Sequence, residues 1–125
     1  MEGSIPRILI ADNKYLIGLE AERIIQEARI CRVTICRSDQ LTEMLAQSRF
    51  DLVFVDAAIT AQERAQQAHI IRSARADLVF IHTGQLSNTE EHSDMEPIIA
   101  FEKPFNEGAL GAFIKEFRVS ETSNA

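Results

Sequence analysis

The chain has 125 residues, 46% of them hydrophobic, with a net charge of −6 and a pI near 5.0. That is the size of one domain, expected to span residues 1–125 with its core over 7–118 and a frayed tail after it. The acidic balance excludes a general nucleic-acid surface, which needs clustered Lys and Arg, and no apolar stretch approaches the roughly 20 residues of a membrane span.

The polar start Met1-Glu2-Gly3-Ser4 carries no secretory signal, and a cytoplasmic location is expected. A first strand, Arg7 to Ile10, ends at Ala11-Asp12-Asn13. A helix from Lys14 to Ala28 follows, with Leu16, Ile17, Ile24, Ile25 and Ala28 on its apolar stripe. Gly18 inside it costs up to about 1 kcal/mol against alanine, which points to a closely packed neighbour. Arg32 to Cys36 is a β-branched second strand. Cys31 and Cys36 are five apart, so extended backbone points them to opposite faces, and both read as reduced, packed thiols. Ser38 is placed to cap a short helix through Gln47, with Leu41, Met44 and Leu45 inward.

Leu52-Val53-Phe54-Val55 is a continuous apolar run closed by Asp56. It does not alternate, so it predicts a strand buried on both faces, as in a parallel sheet covered by helices. Thr60 and Glu63 have capping-box spacing and open a helix to about Ala74, with Ala65, Ala68, Ile70 and Ile71 on its buried side. Leu78 to Ile81 is a fourth strand, closing with His82-Thr83-Gly84. His82 reads as a packed core histidine. From Ser87 to Glu96 only Met95 is large and apolar, which predicts a short, poorly anchored helix or a mobile, solvated acidic loop. Pro97 to Phe101 is a fifth strand ending at Glu102-Lys103-Pro104. The last helix runs from Asn106 to about Arg118 with Leu110, Phe113, Ile114 and Phe117 as its stripe. Strands alternating with helices imply an α/β fold with right-handed crossovers and helices on both faces of a parallel sheet.

Ligand chemistry in such sheets collects outside the carboxyl ends of the strands. Here those ends carry Asp12, Asp56, Thr83 and Lys103, while Asp51 starts its strand at the opposite end. Asp12 alone could instead cap a helix, and Asp56 alone a turn, but the capping reading is the less favoured one for each. If the first and third strands are neighbours, the two aspartates face one crevice. Carboxylates about 5 Å apart repel by roughly 3 kcal/mol at an effective dielectric near 20. A hard divalent cation removes that cost, and a few oxygen ligands with room for water suit Mg²⁺. Asp56 can then accept a phosphoryl group, with Lys103 neutralising its charge and Thr83 donating a hydrogen bond. The loop Asn13-Lys14-Tyr15 lacks the glycines and hydroxyls of a flavin phosphate site, and no Gly-x-Ser-x-Gly elbow is present.

In Ile-Leu-Ile-Ala-Asp-Asn at 8–13, Asp-Leu-Val-Phe-Val-Asp at 51–56, His-Thr-Gly at 82–84 and Lys-Pro-Phe at 103–105, the chain resembles the response regulator receiver domain of two-component signalling. The resemblance covers about Arg7 to Phe117. It implies a flavodoxin-like three-layer fold with strand order 2-1-3-4-5, Asp56 as phosphoacceptor, and a Mg²⁺ site of Asp12, Asn13, Asp56 and the Ala58 carbonyl. It further implies that Thr83 and Lys103 bind the phosphoryl group and that the Lys103–Pro104 bond is cis. The implied donor is a histidine kinase or histidine phosphotransfer protein. Output is expected through a downstream protein partner, with no output domain expected after this one, and a homodimer is compatible with the reading. Beyond promoting its own phosphorylation and dephosphorylation, no enzymatic activity is expected.

The chain departs from the family pattern at four places. Asn13 replaces the second acid after the first strand, which predicts weaker Mg²⁺ binding. Thr60 and Arg64 stand where the loop after the phosphoacceptor has a proline and a glycine. Ala100 stands at the usual aromatic reporter, with Phe101 one position along and pointing to the other face. These departures motivate the alternative of a phosphorylation-independent pseudo-receiver acting as an interaction adaptor.

Overall fold

The computed structural model describes residues 5–83 and 99–119. Five strands form one parallel sheet: β1 (Arg7–Ala11), β2 (Arg32–Cys36), β3 (Leu52–Asp56), β4 (Asp77–Thr83) and β5 (Ala100–Lys103). Their order is β2-β1-β3-β4-β5. The described helices are α1 (Tyr15–Ala28), α2 (Leu41–Gln47), α3 (Ala61–Ser73) and α4 (Glu107–Glu116). The expected short helix or loop over 87–96 lies outside the described residues, as do Pro97, Ile98 and the tail after Val119.

The unbroken run in β3 behaves as a doubly covered strand must. Leu52, Val53, Phe54 and Val55 are all fully buried. By alternation, Ile8, Ile10, Leu52, Phe54, Val79 and Ile81 meet Ile24, Ile25, Leu110 and Ile114 of α1 and α4. Leu9, Ala11, Val53, Val55 and Phe80 meet Leu41 and Ile71 of α2 and α3 on the opposite face. Each large apolar side chain so buried contributes about 1.5–3 kcal/mol. Cys31 and Cys36 are free, buried thiols, one in each of these layers. Burial pushes both thiols up, that of Cys36 to about 11.

Phe101 turns toward the α1/α4 layer, its ring edge-on to Phe113 at 5.5 Å between centroids, and Phe113 in turn meets Phe54 at 6.5 Å. Ala100 pairs with Phe80 on β4. The helix caps at Thr60 and Asn106 form through their side-chain oxygens, which accept from Glu63 N–H at 3.1 Å and Ala109 N–H at 2.9 Å. Asp51 accepts from Arg7 N–H at 2.9 Å and is a structural tie at the far end of the sheet.

Five sequence expectations are corrected. Leu16 is 77% exposed. The buried face of α1 runs through Gly18, Ala21, Ile24 and Ile25, and at about 100° per residue Leu16 falls outside it. In α3, Ala65 is exposed, and the buried positions are Arg64, Ala68 and Ile71. Ser38 does not cap: a 3₁₀ turn, Ser38–Gln40, precedes α2, and Gln40 Oε1 accepts from Arg37 N–H at 2.9 Å. His82 is half-buried at the rim of the sheet rather than inside the core. β5 runs through to Lys103, two residues beyond Phe101, because its ladder with β4 continues to the Thr83–Lys103 pair.

Candidate functional site

The carboxyl ends of β1, β3, β4 and β5 share one rim of the sheet, and their terminal side chains meet there. Lys103 sits on the edge strand, two strand spacings or about 10 Å from β3. A lysine's four-carbon stem is suited to that reach. Its ammonium donates to Asp12 Oδ2 at 2.8 Å and to Asp56 Oδ1 at 3.1 Å. One cation thus joins two carboxylates, and Asp12, 2% exposed, and Lys103, 7% exposed, are withdrawn from solvent. Burial pulls the Lys103 ammonium down, but its hydrogen bonds to Asp12 and Asp56 outweigh that and leave it above the ordinary lysine range. The Asp56 side chain stays 37% exposed, the accessible member of the trio. Thr83 ends β4 in register with Lys103 and is exposed. The Lys103–Pro104 bond is cis.

The remaining Asp12 oxygen, Oδ1, accepts from Lys14 N–H at 2.8 Å, a turn that launches α1. Asn13 Oδ1 accepts from Ser38 N–H at 2.9 Å and ties the β1–α1 loop to the start of the 3₁₀ turn. A groove of about 490 Å³ opens beside Asp56, between Asn13, Ser38, Ala58, Glu63 and Gln67.

The loop after Asp56 is fixed from α3. Arg64 Nη1 donates to the carbonyls of Ala58 and Ile59, each at 2.9 Å, from a side chain on a residue 4% exposed. Gln67 donates to the Asp56 carbonyl at 3.0 Å and accepts from Ala58 N–H at 3.0 Å. In the sequence Arg64 stands out only as a departure from the family pattern, and Gln67 does not stand out at all. Their spacing of three places both on one helical face, and a cation in the first turn of a helix, opposite to the dipole preference, is the available signal.

The four oxygen donors expected for Mg²⁺ are therefore unequal. Two carboxylates on neighbouring strands, β1 and β3, are the hard, charged donors this ion takes, and they fit it. The Asn13 amide oxygen and the Ala58 carbonyl are neutral donors, and like both Asp12 oxygens they are already hydrogen-bonded to protein. Among the described residues, no group of three or more His, Cys, Asp or Glu side chains is arranged to hold a metal, and no helix is long and apolar enough to cross a membrane.

A five-stranded parallel sheet of order 2-1-3-4-5, with the strand-end aspartates, threonine and lysine on one rim, has the fold of response regulator receiver domains. Solved structures with this fold include a response regulator receiver domain protein from Bacillus halodurans, 16% identical, covering 94% of this chain and 100% of that one, with a TM-score of 0.70. A receiver domain protein from Methanospirillum hungatei is 22% identical over 90% of this chain and 93% of its own, with a TM-score of 0.69. An atypical orphan response regulator, described as having a phosphorylation-independent regulatory mechanism, is 18% identical over 92% of this chain and 99% of its own, with a TM-score of 0.63. No family model and no curated protein sequence matches the chain.

Proposed function

We propose that this chain is a two-component signalling module in which Asp56 accepts a phosphoryl group from a histidine kinase or histidine phosphotransfer protein. The observation that carries this reading is the Lys103 ammonium bridging buried Asp12 and accessible Asp56. In the transfer, an Asp56 carboxylate oxygen attacks phosphorus; the new P–O bond forms as the donor's P–N bond breaks, and the imidazole leaves with a proton. Lys103 faces the negative charge that builds on the transferring oxygens, where a preplaced cation acts most strongly. Thr83, at the adjacent strand end, donates to a phosphoryl oxygen. Asp12, Asn13, Asp56 and the Ala58 carbonyl are the candidates to hold Mg²⁺, which when bound would neutralise charge on the phosphoryl oxygens. The added charge of about −1.5 to −2 at Asp56 is the signal, and a protein partner reads it. The chain is a phosphoacceptor rather than an enzyme acting on a separate substrate.

The test is intact-mass measurement after incubation with a small acyl phosphate, with and without Mg²⁺. A gain of one phosphoryl group in the wild type, absent in Asp56→Asn, is the expected result. An unchanged mass across a broad Mg²⁺ range overturns it.

A second reading is favoured by the engaged Asn13 and Ala58 oxygens. In it the same face binds its partner without modification, by analogy with the phosphorylation-independent mechanism described for the orphan regulator. Loss of signalling in Asp56→Asn, with fold and partner affinity intact, would exclude it.

A further inference from the structure

We infer that Arg64 is an internal cation that competes with a metal ion at the Asp56 site, so that metal entry requires the first turn of α3 to release the loop. The inference rests on the reading of Asp56 and the Ala58 carbonyl as cation ligands. Three observations carry it. Arg64 Nη1 already gives the Ala58 carbonyl a charge-assisted hydrogen bond at 2.9 Å and shares it with Ile59. The guanidinium is a cation, and its charge opposes a nearby divalent ion. Finally, Gln67 clamps Asp56 and Ala58 through the Asp56 carbonyl and the Ala58 N–H. Both main-chain groups of Ala58 are thus satisfied by side chains of one helix, three residues apart. A carbonyl oxygen has two lone pairs, but a cation on the second would lie against a guanidinium on the first.

The loop is consequently held in shape by side chains of α3, and metal binding is coupled to its release. Removing the guanidinium frees the carbonyl and removes the repulsion. Mg²⁺ is then expected to bind Arg64→Ala about tenfold or more tightly than wild type, the scale of one lost hydrogen bond to a charged group. Arg64→Gln, which keeps a donor without charge, should fall between the two.

The experiment is a Mg²⁺ titration of the whole chain followed by amide resonances, with Ala58 and Asp56 as reporters and no phosphodonor present. Tighter binding in Arg64→Ala, with intermediate Arg64→Gln, supports the inference. Equal affinity in all three, or no Mg²⁺ response in any, overturns it. Should Arg64→Ala not fold, the wild-type Arg64 Nε–H resonance serves instead: it must shift in step with Ala58 as Mg²⁺ is added. An Ala58 shift with Arg64 unmoved, or no response of either, overturns the inference. Because the readout needs no phosphoryl transfer, a chain that binds Mg²⁺ as described but never gains phosphoryl mass refutes the proposed function and leaves this inference standing. A chain that is phosphorylated while Arg64→Ala binds no tighter does the reverse.

Discussion

At the scale of single residues, Lys103 combines two tasks. It carries charge to the site, and it is the ion-pair partner of Asp12, which is 2% exposed. A buried carboxylate stripped of its partner is left with its desolvation cost unanswered. Lys103→Ala is therefore expected to lose about 3–5 kcal/mol of folding stability, measured as a fall in the urea midpoint with little change in slope. The pH dependence follows from the raised ammonium. A group whose pKa is higher folded than unfolded contributes fully below its unfolded value, about 10.4 for lysine. That contribution is lost as pH rises through the folded value. The gap between wild type and Lys103→Ala should thus be flat on the acid side of the unfolded value, narrow between the unfolded and folded values, and close only above the folded value, in strong alkali. A gap that closes at neutral pH would show that the pair contributes little.

At the scale of elements, α1 is positioned by an absence. A Cβ on Gly18 would lie 2.7 Å from Ile35 Cγ2 on β2, a distance that forces one element to move. Alanine at this position gains up to about 1 kcal/mol in helix propensity, but overpacking costs about 1–3 kcal/mol. The second effect wins, and Gly18→Ala should be destabilised by roughly 1 kcal/mol. Ile35→Ala removes the obstructing methyl, so the double variant should be more stable than the sum of the two single changes implies. A double-mutant cycle by urea denaturation measures this coupling directly; strict additivity would refute the close contact. Helix α3 is the counter-example to reading helices by hydropathy. Its inward positions, Arg64, Ala68 and Ile71, hide a guanidinium in the stripe. Apolar spacing put Ala65 there instead. Nothing in residue hydrophobicity announces that two loop carbonyls will receive the arginine.

At the scale of the whole molecule, the legible parts were those set by local pattern. The unbroken apolar run of β3 told of cover on both faces, and the strand-end residues Asp12, Asp56, Thr83 and Lys103 could be named because each follows such a run. The strand order could not be read from periodicity and came from the receiver resemblance. The illegible parts were long-range and polar: Asn13 turning to Ser38 N–H, Gln67 clasping the Asp56 loop, and the rotation of α1 that leaves Leu16 in solvent. Each depends on how two elements meet, which no single stretch of sequence records.

Lys103 belongs to the last strand in chain order and to the edge of the sheet, yet its charge partners are 91 and 47 residues earlier. A chain that reached its first four strands before β5 would bring Asp12 and Asp56 together with no Lys103 ammonium between them. It would carry an electrostatic defect that Lys103 repairs when β5 arrives. Chains ended at Ile99 should accordingly be far more protease-sensitive than the loss of one short edge strand and one helix alone would cause, and Asp12→Asn should recover part of the difference. If truncated chains with and without the Asp12→Asn change are digested at the same rate, the late-arriving charge has no part in completing the fold.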